Sequence, residues 1–172
     1  MKQNIKILFD IVIIIVIAST SLFLYKEYWD DAKRALFGDE PVYTIYLGSK
    51  ALEVTVADDS QERIQGLSGV TSLRDFEGKL FVFDTDDTYG IWMKDMLFPL
   101  DIIWIDKNLE VVYIEENVYP DTYPQVFTPT TEARFVLEVH AKFVSSVQVK
   151  VGDRLLLPPG ILPSDIQKQL QK

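Results

Sequence analysis

The residues of this chain whose types and spacing could do chemistry are two carboxylates, two cations and a tryptophan. In the run Leu100 to Ile105, strand alternation puts Asp101 on one face with Ile103 and Ile105, opposite Leu100, Ile102 and Trp104. A carboxylate on an apolar face needs a cation or several donors, because an unpaired buried charge is strongly unfavourable. Lys94 and Arg134 are the natural candidates. In the strand that ends at His140, the residues Arg134, Val136, Glu138 and His140 share one face, opposite Phe135, Leu137 and Val139. That face reads either as a structural ion-pair cluster on a sheet or as a pocket whose charged groups orient a ligand. Trp92 and Lys94 fall on one side if the piece after Gly90 is extended. An aromatic plate beside an ammonium is a binding surface, and it is equally what a core tryptophan with a snorkelling lysine looks like.

Other chemistry is weakly supported. His140 is the chain's single histidine. It could pair with Glu138 for proton transfer, but no serine nucleophile with a matching elbow sequence accompanies it. Asp84, Asp86 and Asp87 have the oxygen spacing of a calcium loop without its central glycine and terminal glutamate, so they read as an acidic surface turn. Cysteine is absent, which removes disulfides, thiol nucleophiles and thiolate metal sites together and leaves the redox compartment undecided. No phosphate loop, metal-ligand spacing or cofactor fingerprint is present, so no cofactor is expected. The 172 residues carry a formal charge of −9 with no window rich in Lys and Arg, and nucleic acid is a poor partner for such a surface.

The elements that must position these groups are β-rich. Tyr43 to Leu47 and Ala51 to Ala57 flank Gly48, Ser49 and Lys50 as a hairpin. Asp59 with Glu62 three residues on starts a short helix that should bury Ile64 and stop at Gly66. Leu80 to Phe83 is an apolar strand. Leu100 to Ile105 and Leu109 to Glu115 form a second hairpin around Asp106, Lys107 and Asn108, with Asn108 suited to the left-handed position. Residues 117 to 132 are a proline-punctuated loop, long enough to be functional or mobile. Phe135 to Val139 is a strand, Ala141 to Val147 a short helix, and Val149 to Leu157 a strand pair broken at Gly152 and Asp153. The expected fold class is α+β, predominantly β: a compact antiparallel or mixed sheet, or barrel-like domain, with short helices and one N-terminal transmembrane helix before it.

That preceding segment is an apolar run from Ile7 to Leu24, interrupted by Asp10 and preceded by Lys2 and Lys6. Eighteen helical residues span roughly 27 Å, about one hydrocarbon core. The lysines mark the N-terminus as cytoplasmic and the remainder as exported. Ala18, Ser19, Thr20 and Ser21 leave signal cleavage open as the rival reading, with a secreted or periplasmic product. The expected organisation is therefore 1–25 anchor or signal peptide, 26–41 juxtamembrane linker, 42–157 β-rich globular domain and 158–172 proline-rich C-terminal tail, in which Ser164 is a candidate cap for a final helical turn or two.

An ordered series of short pieces adds a family. Glu62-Arg63 with Gly66-Leu67, Glu77-Gly78 with Leu80-Phe81-Val82-Phe83, Trp92-Met93-Lys94, Pro99-Leu100-Asp101, Ala133-Arg134 with Val136-Leu137-Glu138, and Val151-Gly152-Asp153 resemble, over residues 52 to 157, the bacterial and archaeal domain-of-unknown-function family one hundred and ninety-two. The resemblance implies a small β-rich domain usually preceded by a signal or anchor, and no reaction. The chain departs from the family pattern at Ser68-Gly69-Val70, at Asp95 and at His140. The candidate ligand-binding set is Arg63, Trp92, Met93, Lys94, Asp101, Arg134 and Glu138. The leading functional expectation is a membrane-tethered, extracytoplasmic, non-enzymatic module for a small ligand or an envelope protein. The alternative is a cell-envelope hydrolase acting on a saccharide through the Asp101 and Glu138 carboxylates.

Overall fold

Strand periodicity builds one seven-stranded sheet. The computed structural model describes residues 17–25 and 40–170. The strands are β1 (Tyr43–Leu47), β2 (Lys50–Ala57), β3 (Glu77–Asp87), β4 (Ile91–Trp92), β5 (Leu100–Ile105), β6 (Val111–Val118), β7 (Val126–Phe127), β8 (Ala133–His140) and β9 (Leu155–Leu156). The curled half-barrel sheet has the order β6-β5-β8-β3-β2-β1-β9, and β4 pairs with β7 in a separate two-stranded sheet. Within the large sheet β2 and β3 run parallel, and the other neighbours are antiparallel. A parallel neighbour requires a crossover, and helix α1 (Ser60–Gln65) lies within it. Two later helices are α2 (Phe143–Val147) and α3 (Ser164–Leu170).

The two faces of the sheet bury different things. Leu80, Val82, Ile103, Ile105, Phe135 and Leu137 project to one side, into a core shared with Ile45, Leu52 and Val54. Phe143, Val144, Ile161, Leu162 and Ile166 join the same core, so the segment after Pro158 contributes side chains to it. Lys79, Phe81 and Phe83 of β3 and Arg134, Val136 and Glu138 of β8 alternate with these core residues and occupy the opposite side.

Local chemistry explains most element ends. Asp59 caps α1, its Oδ1 accepting from the N–H groups of Gln61 and Glu62 at 2.8 Å each, while Glu62 Oε2 accepts from the Asp58 N–H at 3.1 Å. Gly66 ends the helix at φ 51°. Ile64 is 71% exposed rather than buried. A helix of under two turns presents few residues inward, and here Arg63 is one of them. In the β5–β6 turn Leu109, not Asn108, takes the positive φ, because Asp106 Oδ1 receives the N–H groups of Asn108 and Glu110 and fixes the turn around them. The expected strand pair over 149–157 reduces to β9 and an isolated Glu110–Arg154 bridge. Residues 117–132 contain a 3-10 turn (Pro120–Thr122) and β7.

The expected anchor over Ile7 to Leu24 and the linker over 26–41 lie largely outside the described residues. Of the anchor segment only residues from 17 onward are described, as helix. Among the described residues no helix is long and apolar enough to cross a membrane, so the transmembrane helix gains no support from them.

Candidate functional site

On the side of β3 and β8 away from the main core, a cavity of about 340 Å³ opens between α1, β3, β8 and β4. Its wall includes Phe81 and Phe83 from β3, Glu138 from β8, Arg63 from α1, and Trp92 and Met96 from the segment around β4. Three of the seven sequence-predicted residues, Arg63, Trp92 and Glu138, therefore meet in one place. Close approach holds two parts of this wall. A Cβ on Gly78 would come within 2.5 Å of the Glu138 carbonyl oxygen, and one on Gly66 within 3.2 Å of the Phe81 ring. Glycine at both positions lets β8 and α1 close in.

Glu138 is the unusual member. It is 5% exposed, and no described residue supplies its carboxyl with a hydrogen bond or ion pair. Burial pushes its pKa up to about 8, with the nearby Lys79 charge pulling the other way. Lys79 stands directly opposite Glu138 in the β3–β8 register, but its ammonium donates to Glu40 Oε2 at 3.0 Å. Glu138 therefore faces the cavity as a neutral acid at pH 7, able both to donate and to accept.

Arg63 is held rigidly. Its Nη1 donates to the carbonyl oxygens of Asp58 (2.7 Å) and Val82 (2.8 Å), and its guanidinium carbon lies 5.3 Å from the centre of the Phe83 ring. Phe83 in turn stacks on Tyr89 at 3.5 Å. Trp92 is 47% exposed and edge-on to Tyr123, so it forms a rim of the cavity and not part of the core.

The other four expected residues do not line this cavity. Met93 is buried in the interior and Lys94 is exposed; the Lys94 backbone carbonyl receives the Ser68 hydroxyl at 2.9 Å. Asp101 is fully buried, as its isoleucine face implied, but neither Lys94 nor Arg134 pairs with it. Its Oδ1 accepts from the Asn117 N–H and its Oδ2 from the Val144 N–H, each at 2.8 Å. Asp101 thereby caps α2, whose own preceding residue, Lys142, makes no side-chain cap. Arg134 donates from Nε to Asp86 Oδ1 (2.7 Å) and from Nη1 to Gln169 of α3 (3.0 Å). Burial opposes ionisation of Asp86, but hydrogen bonds from Lys107 and Arg134 outweigh it and hold that carboxyl below its ordinary range.

The proposed carboxylate pair does not exist as a pair. Asp101 is opposite Val139 and Glu138 is opposite Ile102 in the β5–β8 register, so the two acids leave the sheet on opposite faces. His140 is likewise separated from Glu138. It lines a second cavity of about 430 Å³ with Phe76 and Lys142, its Nδ1 2.9 Å from the Ala141 carbonyl and its ring parallel to Phe98 at 6.0 Å.

Sequence reasoning missed Phe81, Phe83 and Met96. The first two were legible, since Lys79, Phe81 and Phe83 alternate with Leu80 and Val82 and so had to face away from the main core.

No curated protein matches the chain. Among solved structures, a "putative transcription regulator" from Sinorhizobium meliloti is 28% identical with a TM-score of 0.65, covering 67% of this chain and 93% of its own. A protein of unknown function from Novosphingobium aromaticivorans is 24% identical with a TM-score of 0.65, covering 69% of this chain and 87% of its own, and shows the shared fold. Residues 44–157 match the family model DUF192, "Uncharacterized ACR", and the chain belongs to that family.

Proposed function

We propose that the domain is a non-enzymatic binding module that takes a small ligand in the cavity between α1, β3, β8 and β4. The observation that carries this reading is Glu138, a buried acid with no described partner on the wall of an open cavity. Buried polar groups are ordinarily satisfied, and an orphan facing a cavity is a group kept for something that enters. Binding is favoured over catalysis because Glu138 is the one carboxylate among the described residues that line the cavity, and the Ser68 hydroxyl on the same wall is committed to the Lys94 carbonyl. The exposed Trp92, Tyr119 and Tyr123 suit an envelope protein as a further partner beside the small ligand. The apolar run Ile7 to Leu24, with lysines before it, supports tethering of this module at the outer side of the cell membrane. N-terminal sequencing of membrane-extracted protein tests that placement: an intact Met1 end is expected, and a start near Ser21 or Leu22 means a cleaved signal.

The binding reading is tested with a library of single-ring fragments, read by protein-observed NMR at the tryptophan indoles. Hits are expected to shift the Trp92 indole and leave the fully buried Trp104 unmoved, and their binding, read at the backbone amides, is expected to be lost in a folded Trp92→Ala variant. A library that yields no hit, or hits that survive Trp92→Ala unchanged, would overturn it.

A further inference from the structure

The chemistry of the cavity wall narrows what can enter. A guanidinium carries five N–H donors. Nη1 of Arg63 is spent on two backbone carbonyls, and its Nε and Nη2 make no hydrogen bond among the described residues. Asp58, the neighbouring acid, receives Nη1 at its backbone carbonyl and not at its carboxylate, which is in the exposed part of the chain. A half-buried cation on one wall and a partnerless carboxyl on another thus offer unused donors to the same space, between aromatic rings.

We infer that this cavity takes a small ring-bearing carboxylate, its acid group held between the Arg63 guanidinium and the Glu138 carboxyl, and its ring lodged among Phe81, Phe83 and Trp92. The inference rests on the binding-module reading and adds the ligand's charge and shape to it. A carboxylate is acceptor-only, with two oxygens. The planar fork of Arg63 answers one side of it, and a protonated Glu138 donates to the other. The volume of about 340 Å³ is at the small end of ligand sites, which suits a single ring. A cationic ligand is disfavoured by the same surroundings, since Glu138 would have to ionise for it, Lys79 already stands opposite Glu138, and Arg63 lines the same cavity.

The pH behaviour follows from the groups that face Glu138. Lys79 comes from β3 and is tied to Glu40, Arg63 comes from α1, β5 presents the uncharged Ile102, and His140, two residues on, lies in the other cavity. Glu138 is then the group that titrates beside the ligand near pH 8. An anion binds the form with Glu138 neutral, so its affinity holds below that value. Above it the affinity falls, by up to about tenfold per unit, as the carboxyl ionises.

The test uses three isosteric probes of different charge, benzoate, benzamide and benzylamine, titrated into the full chain in detergent micelles and read at the Trp92 indole by NMR. Benzoate is expected to bind at least about tenfold more tightly than the other two at pH 6.5 and to weaken above pH 8. Arg63→Gln should abolish the preference. Glu138→Gln, which keeps an N–H donor, should retain benzoate binding and remove the pH dependence. Each variant counts only if its melting cooperativity matches the parent. Equal binding of benzamide and benzoate, or tighter binding of benzylamine that grows with pH, overturns the ligand class while leaving the cavity a binding site. Failure of all three probes to move Trp92 overturns the inference together with the reading it rests on.

Discussion

Asp101 and Glu138 are buried acids on neighbouring strands, one residue out of register and on opposite faces of the sheet. Asp101 has each oxygen answered by a backbone N–H, from Asn117 and Val144. Glu138 has no described partner and borders a cavity. The same chemical group thus stands in two different surroundings. Fixed donors make a buried carboxylate a structural bolt that ties β5 to the start of α2 and the end of β6, whereas their absence leaves a neutral acid available to a visitor.

Breaking the first side of this contrast should have the largest effect. Asp101→Ala is expected to destabilise the domain by about 2 to 4 kcal/mol, because the Asn117 and Val144 N–H groups lose their shared acceptor side chain. Asp101→Asn should recover only part of that, since its NH₂ would face one of the two donors. Denaturant melts check both, and a loss below about 0.5 kcal/mol would mean that the amides find other partners.

The second side should move the opposite way. The folded-state pKa of Glu138 is raised from 4.5 to about 8, so the acid costs stability that is absent below pH 4.5, grows between those values and is full above pH 8. Glu138→Gln should therefore stabilise the protein by about 1 to 3 kcal/mol at pH 8, the unsatisfied amide offsetting part of the gain, and by nothing at pH 4. Melts at the two pH values check it, and a pH-independent difference would remove the contrast.

Arg134 sharpens the comparison, because it shares a face with Glu138 and yet is paired with Asp86 and Gln169. Arg134→Ala should cost about 1 to 3 kcal/mol. The depressed Asp86 carboxyl adds stability above its unfolded value that is lost as pH falls through its folded value, so the variant should also show a shallower acid loss than the parent. Lys94→Ala, at an exposed side chain, should stay within about 0.5 kcal/mol by the same melts.

Much of this arrangement was legible in local sequence. The β1–β2 hairpin, the Asp59–Glu62 capping pair, the face shared by Arg134 and Glu138 and the burial of Asp101 among isoleucines all follow from period and turn chemistry. The partners of these groups did not follow. The Val144 and Asn117 amides that satisfy Asp101 lie 43 and 16 residues away, and backbone donors leave no side-chain signature to search for. The alternation that would have separated Asp101 from Glu138 needs the β5–β8 register, which a single strand does not carry. Trp92 reads equally as core or rim until β7 is seen to pair with β4.

The central claim is that Glu138 is neutral and unpartnered in its wall at physiological pH, and a ¹³C NMR titration of its side-chain carboxyl, assigned by loss of the signal in Glu138→Gln, tests it most directly. A midpoint near 8 is the predicted result; a midpoint at the ordinary glutamate value, about 4.5, would contradict it.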